Sequence, residues 1–287
     1  ASDPFVLDKF LKHKNFGSNR KVFVDCTASK TIAEHYADIL DNGFSVVTAN
    51  KIANTLGYDY YRAMRETATE RNIHFRYETN VGAGLPIINT LQGLLTGGDE
   101  ILEIQGILSG TLSYLFNSFD GQTLFSSLVS SAREKGFTEP DPREDLNGMD
   151  VARKMLILVR ETGAELDLDD VSVESLIPEA MDPDLTVAEF LNQFSNFDSF
   201  FLDRFNKAKT EQKVLRYIGT WDGSKVRVGL EAVDQKSPFY HQLGSENLIL
   251  FKTKRYHDVP LVIKGYGAGA GVTATGILQD IQACIRN

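Results

Sequence analysis

VFVDCTASKTIAEHYADILDNGFSVVTANK, residues 22–51, places a short apolar run, a helix-periodic stretch and a second apolar run in series. Residues 22–24 read as a strand, about 30–42 as a helix and 44–47 as the next strand. The pattern repeats once more, with a helix over about 59–71 and a strand over 73–77. Strand, helix, strand, helix, strand is the order of parallel βαβ units. Thr31 and Glu34 have capping-box spacing at the expected helix start, and Gly43 sits where a helix stop belongs. A doubly wound sheet binds ligands at the carboxyl ends of its strands. Thr27 and Asn50-Lys51 fall just past two such ends, although Thr27 by itself reads as an ordinary helix-capping turn.

From about residue 86 the reading changes to α+β. Residues 101–108 alternate, with Leu102, Ile104 and Leu108 on one side and Glu103 and Gln105 on the other, as in a half-buried strand. Stretches 214–219 and 225–232 flank Trp221-Asp222-Gly223-Ser224, a turn with hairpin chemistry. Stretches 248–253 and 259–264 form a second pair around Tyr256-His257-Asp258. Helices are expected over about 122–135, 148–163 and 185–207, and a last one over 272–285. The fold class is therefore α/β plus α+β: an incomplete Rossmann-type parallel sheet domain and a second domain of mainly antiparallel sheet with helices.

Chemistry concentrates in Glu139-Pro140-Asp141-Pro142-Arg143-Glu144-Asp145-Leu146-Asn147-Gly148-Met149-Asp150-Val151-Ala152-Arg153-Lys154, eight ionisable side chains in sixteen residues. Each proline restricts the residue before it to extended conformations, so Glu139 and Asp141 are held out of any helix. Asp145 or Asn147 can cap the helix that follows. Asp150 and Lys154 lie four apart on one helix face with the acid on the N-terminal side. Such a pair is usually an exposed ion pair worth a few tenths of a kcal/mol. A lysine beside several carboxylates behind a rigid loop is also a proton donor and acceptor.

This segment resembles the signature of homoserine dehydrogenases. The same family is matched, in the same order, by Val24-Asp25-Cys26-Thr27, Val47-Thr48-Ala49-Asn50-Lys51, Glu78-Thr79-Asn80-Val81-Gly82-Ala83-Gly84-Leu85-Pro86, Gly106-Ile107-Leu108-Ser109-Gly110-Thr111 and Gly265-Tyr266-Gly267-Ala268-Gly269. The wording of D-C-T-A-S, A-N-K-I-A-N-T and I-L-S-G-T-L-S-Y is most like the dehydrogenase region of bifunctional aspartokinase–homoserine dehydrogenases. The resemblance implies NADP- or NAD-dependent interconversion of L-homoserine and L-aspartate 4-semialdehyde, in threonine and methionine biosynthesis. It implies a partial dinucleotide-binding domain over 1–86, completed by a helix over 270–287, and a substrate-binding, catalytic and dimerisation domain over 87–269. A homodimer or higher assembly follows from the same resemblance.

Carried over residue by residue, Lys154 matches the proton-transfer lysine and Asp150 the substrate-binding aspartate beside it. Lys154 is expected to act as an ammonium donor to the developing alkoxide during semialdehyde reduction, since a lysine is a poor base at its reference pKa of about 10.4. Glu139 and Asp145 match residues that bind the amino group of homoserine, and Thr111 is expected to line the substrate site. Lys51 matches a residue between substrate and cofactor. Thr27, Gly136 and Gly269 match cofactor contacts. Read without the resemblance, residues 78–85 are a glycine-rich turn after a strand. In the family this loop presents the backbone carbonyls of Glu78, Val81, Ala83 and Leu85 to a monovalent cation, sodium or potassium, and an oxygen shell suits a hard cation. Phe137 departs from the tyrosine common in relatives.

Family members open with a strand and a G-x-G-x-x-G turn that receives a pyrophosphate. Residues 1–16 contain no glycine and the chain starts at Ala1, so an excised fragment with weakened cofactor binding is expected. A net charge of −9, from 30 basic and 39 acidic residues, argues against nucleic acid or an anionic membrane as a partner. There is no apolar run of the ~18 residues a membrane span needs. Two cysteines without metal spacing fit a reducing, cytoplasmic compartment. Two rival readings use the same residues. One is a non-catalytic dimerisation or substrate-binding module of a bifunctional enzyme. The other is an aspartate-semialdehyde dehydrogenase with Cys26 as nucleophile.

Overall fold

The computed structural model describes Lys9 and residues 20–286; the rest of the glycine-free stretch 1–16 lies outside the described residues. The chain forms two compact units that interleave in sequence. The first takes the described residues up to Gly93, then Leu156–Leu168, then the stretch from Ala268; the second takes Leu94–Met155 and Asp169–Gly267.

In the first unit, β1 (Lys21–Asp25), β2 (Phe44–Thr48) and β3 (Phe75–Arg76) form a parallel sheet in the order β1-β2-β3. The register sets Lys21 opposite Phe44 and Asp25 opposite Thr48, so the carboxyl ends of β1 and β2 lie side by side. All five residues of β2 are buried, as a central parallel strand requires. The expected helix over 30–42 is two helices, α1 (Lys30–Ala33) and α2 (Tyr36–Asp41). The cause is a side chain inserted into the helical ladder. The Tyr60 hydroxyl donates to Ala33 O at 2.7 Å and accepts from Ala37 N at 3.5 Å, replacing the bond those two groups would share. The cap is Ser29, whose hydroxyl accepts from Ile32 N, and not the expected Thr31–Glu34 box. Gly43, at φ +78°, ends α2 as expected.

After α3 (Ile52–Thr55), α4 (Tyr58–Glu70) returns to β3. The strand expected over 73–77 is shortened because Ile73 N bonds back to Ala68 O, making residues 72–73 part of the helix stop. The loop beyond β3 leads into α5 (Ile87–Thr96). The final helix, α12 (Ala270–Arg286), packs so closely on the 78–85 loop that a Cβ on Gly276 would stand 2.6 Å from Thr79 Cγ2, and one on Gly84 2.6 Å from Val272 O.

The second unit is a six-stranded sheet in the order β5-β7-β6-β4-β8-β9. Its strands are β4 (Ile101–Ile107), β5 (Val171–Val173), β6 (Val214–Trp221), β7 (Val226–Val233), β8 (Asn247–Thr253) and β9 (Leu261–Gly265). Only the β5–β7 pair is parallel, so the mainly antiparallel expectation holds. Both expected hairpins form. Its helices are α6 (Gly110–Ser118), α7 (Phe125–Glu134), the short α8 (Arg143–Leu146), α9 (Met149–Glu161, whose later turns belong to the first unit), α10 (Val187–Phe194) and α11 (Asp198–Thr210). The single helix expected over 185–207 is broken by a 3-10 turn at Ser195–Phe197. The break sets the Asp198 carboxylate against the Ser126 N–H and hydroxyl, at 2.7 and 2.6 Å. Phe125, Phe194 and Phe201 stack in the core behind it, with Phe125 and Phe201 centroids 4.0 Å apart.

Candidate active site

In the second unit the expected substrate residues converge around the end of β4. Lys154, in the second turn of α9, points its ammonium at Leu108 O, 2.7 Å away, and pairs with Asp150 Oδ2, also at 2.7 Å. The Lys154 side chain is 12% exposed and Asp150 44%, so the ammonium is largely withdrawn from solvent while its carboxylate partner still reaches water. An ammonium has three donors; two go to Asp150 and Leu108, which leaves one for a substrate oxygen.

Helix α9 is seated on β6 through glycines. Gly148, at φ +73°, leaves no room for a side chain, because a Cβ there would be 2.0 Å from Tyr217 Oη. Gly219 on β6 lies under Met155, where a Cβ would meet Cγ at 2.3 Å. Asn147 caps the helix by accepting from Met149 N at 2.8 Å.

Asp145 has another task. Its Oδ2 accepts from Glu139 N at 2.8 Å, closing the acid loop on itself. Burial raises the Asp145 pKa above the ordinary aspartate value, aided by the charges of Asp150 and Glu144 and opposed by the hydrogen bond from Glu139 N and by the nearby Thr111 hydroxyl. A half-buried carboxylate with acidic neighbours gains most from a cationic ligand. Thr111, on the first turn of α6 behind the cap Ser109, also donates to Phe137 O at 2.7 Å. The structure thus brings Lys154, Asp150, Asp145, Glu139 and Thr111 together. Gly136 ends α7 at φ +72°, next to the exposed Phe137, whose ring lies 4.7 Å from that of Tyr114.

In the first unit, Cys26, Thr27 and Ala28 are exposed past β1, and Lys51 stands half-buried just ahead of α3. A buried network that sequence reading missed makes these turns rigid. Asp25 accepts from Thr27 N at 2.7 Å and from Asn50 Nδ2 at 3.1 Å, and Asn50 Nδ2 also donates to Ser29 O at 2.9 Å. The Tyr36 hydroxyl joins Asp25 to Thr48, and its burial pushes its pKa well up, so it serves as a neutral donor. Gly269 opens α12, its carbonyl accepting from Thr273 N and Oγ1 at 3.0 Å. The turn after β1 is exposed at Cys26, Thr27 and Ala28, whereas the turn after β2 is buried at Asn50 and half-buried at Ala49 and Lys51; open α/β sheets bind ligands outside such strand ends.

The 78–85 loop is buried around Glu78 and Val81. The Glu78 carboxylate accepts from Ile88 N at 2.7 Å and Asn89 N at 2.9 Å, capping α5, while its own N–H donates to Asp280. Burial raises the Glu78 pKa. Left-handed conformations at Gly82 (φ +75°) and Ala83 (φ +54°) turn successive carbonyls. The carbonyl of Leu85 accepts from Ile87 N at 2.8 Å and that of Glu78 from Val81 N at 3.4 Å, each oxygen keeping a second lone pair. Backbone carbonyl oxygens are the donors this loop has to offer, the type a hard monovalent cation takes. Among the described residues no group of three or more His, Cys, Asp or Glu side chains is arranged to hold a metal. No helix among them is long and apolar enough to cross a membrane.

The homoserine dehydrogenase family pattern matches residues 86–282, and the homoserine dehydrogenase NAD binding domain matches residues 4–78. The chain is 47% identical over 285 residues to the maize chloroplastic bifunctional aspartokinase/homoserine dehydrogenase 1, covering 98% of this chain and 31% of that protein. It is 44% identical over 268 residues to the homoserine dehydrogenase of Schizosaccharomyces pombe, covering 91% of this chain and 71% of that protein. A crystal structure of a Candida auris protein of unknown function superimposes with a TM-score of 0.93 at 38% identity, over 99% of this chain and 82% of that one. The chain spans about a third of the length of the bifunctional relatives it matches.

Proposed function

This chain belongs to the homoserine dehydrogenase family, and we propose that it interconverts L-homoserine and L-aspartate 4-semialdehyde with NADP or NAD. The observation that carries the proposal is the Lys154 ammonium, held 2.7 Å from both Asp150 and Leu108 O behind the acid loop. When bound, the nicotinamide supplies or accepts the hydride at the carbon that bears the oxygen. In the reducing direction Lys154 donates its third proton to that oxygen as negative charge develops there, and Asp150 keeps the ammonium aimed. In the oxidising direction the alcohol proton returns to Lys154 after deprotonation assisted by Asp150 or water. Asp145 and Glu139 bind the substrate ammonium, with Thr111 beside them. Thr27, Lys51 and Gly269 of the first unit and Gly136 of the second are assigned to cofactor binding in this proposal.

The carbonyls of Glu78, Val81, Ala83 and Leu85 hold sodium or potassium in this reading. A homodimer and a cytoplasmic location complete it; two free cysteines, Cys26 exposed and Cys284 buried, support a reducing compartment. The thioester chemistry of an aspartate-semialdehyde dehydrogenase would need Cys26, and family membership removes the reason to invoke it. The test is NADPH or NADH oxidation with aspartate 4-semialdehyde by the protein that carries this chain. No turnover with intact cofactor binding would replace the enzyme reading with that of a non-catalytic module.

A further inference from the structure

The acid loop is short of backbone anchors. Pro140 and Pro142 have no N–H to give, and residues 137–141 join no helix or strand. Thr111 holds Phe137 O and Asp145 holds Glu139 N, and two arginines anchor the proline-flanked part between them and α8. Arg143 Nε lies 3.0 Å from each Asp141 carboxylate oxygen, and Nη2 lies 2.7 Å from Oδ2. The same guanidinium reaches away from the loop, with Nη1 donating to Pro183 O at 3.1 Å and Leu185 O at 2.9 Å and the Phe190 ring centroid 5.5 Å from Cζ. Arg133 Nε adds a bond to Pro140 O at 3.0 Å. The Arg143 side chain is 22% exposed and that of Asp141 27%, so water competes little for the fork. The pairing with Arg143 holds the Asp141 carboxyl below the ordinary aspartate range.

We propose that Arg143 is a positioning residue for substrate recognition: by tying Asp141 to the 183–185 segment it holds the loop in the shape that aims Glu139 and Asp145 at an ammonium-bearing substrate. This rests on the function proposed above for the same site. The proton-transfer pair is anchored separately, by Leu108 O and by α9. Arg143 therefore governs affinity for the amino group and leaves the chemical step alone. Lysine cannot replace it, because a single ammonium offers no planar fork for Asp141 together with two carbonyls.

The experiment compares Arg143→Lys and Arg143→Gln with the parent protein. Expected is a rise of about tenfold or more in KM for homoserine with kcat within about threefold. The inhibition constant of 4-hydroxybutanoate, which lacks the amino group, should stay within about threefold, since that ligand never uses the aimed carboxylates. A fall in kcat with unchanged KM, or equal weakening of both ligands, overturns the proposal. Independently of turnover, the Glu139 amide, bonded to Asp145 in the closed loop, should exchange its hydrogen at least about tenfold faster in Arg143→Lys than in the parent. Unchanged exchange overturns the clamp, whereas faster exchange in a protein whose parent oxidises no homoserine would overturn only the functional reading.

Discussion

Replacing Gly148 with alanine tests how α9 is placed. The residue sits at φ +73°, and a Cβ would stand 2.0 Å from Tyr217 Oη, 3.0 Å from Tyr217 Cζ and 3.1 Å from Val173 Cγ1. Tyr217 cannot yield easily, because it is buried and its hydroxyl donates to Glu174 O at 2.7 Å. The left-handed backbone costs an alanine roughly 1–2 kcal/mol, and overpacking a closed contact costs roughly 1–3 kcal/mol more. Gly148→Ala should therefore lose about 2–5 kcal/mol. Tyr217→Phe alone loses one hydrogen bond, about 1 kcal/mol, or more if the Glu174 carbonyl stays unpaired. In the double variant the 2.0 Å clash is gone, so the two losses should fall short of their sum by about 1–2 kcal/mol. Urea unfolding midpoints of the parent, both singles and the double measure this, provided the m values agree. Additivity within about 0.5 kcal/mol would show that the Tyr217 hydroxyl does not set the seat of α9 and would refute the reasoning.

Lys154→Met should lower turnover by about 10² to 10⁴ with the fold intact, and a kcat within threefold of the parent would remove Lys154 from proton transfer. Asp150→Asn should also lower turnover, and the double variant should lose less than the two singles combined, because the pair acts as a unit. Glu144 adds to the raised pKa of Asp145, so Glu144→Gln should shift the acidic limb of the kcat/KM profile for homoserine to lower pH; a shift upward would contradict the electrostatics described. If the 78–85 carbonyls hold a cation, a crystal structure in sodium or potassium should show about five or six oxygen neighbours around a non-water peak there, and activity should depend on the ion; a three-coordinate water would mark a plain turn. Cys26→Ser should keep full turnover, which thiol alkylation of the parent would confirm by leaving the rate unchanged.

Residues 22–77 carried the parallel βαβ reading in their apolar spacing, and Glu139 to Lys154 carried the site in their density of charge and their prolines. Both are local patterns: strand alternation, helix periodicity and the i,i+4 relation of Asp150 to Lys154 need only the chain itself. The tertiary structure decided everything that depends on a partner distant in sequence. The Tyr60 hydroxyl, 27 residues from Ala33, breaks the helix expected over 30–42, and no periodicity within 30–42 could announce it. Asp198 meets Ser126 across 72 residues at the break in the 185–207 helix. Lys154 acquires its second anchor from Leu108 O, 46 residues away. Arg143 was visible in the acid segment but without a role, because the carbonyls it grips, Pro183 and Leu185, lie 40 and 42 residues further on. A sequence states which side chains are charged and how they repeat, but the direction of a donor is set by whatever carbonyl or carboxylate the fold delivers to within 3 Å of it, and only the folded chain contains that.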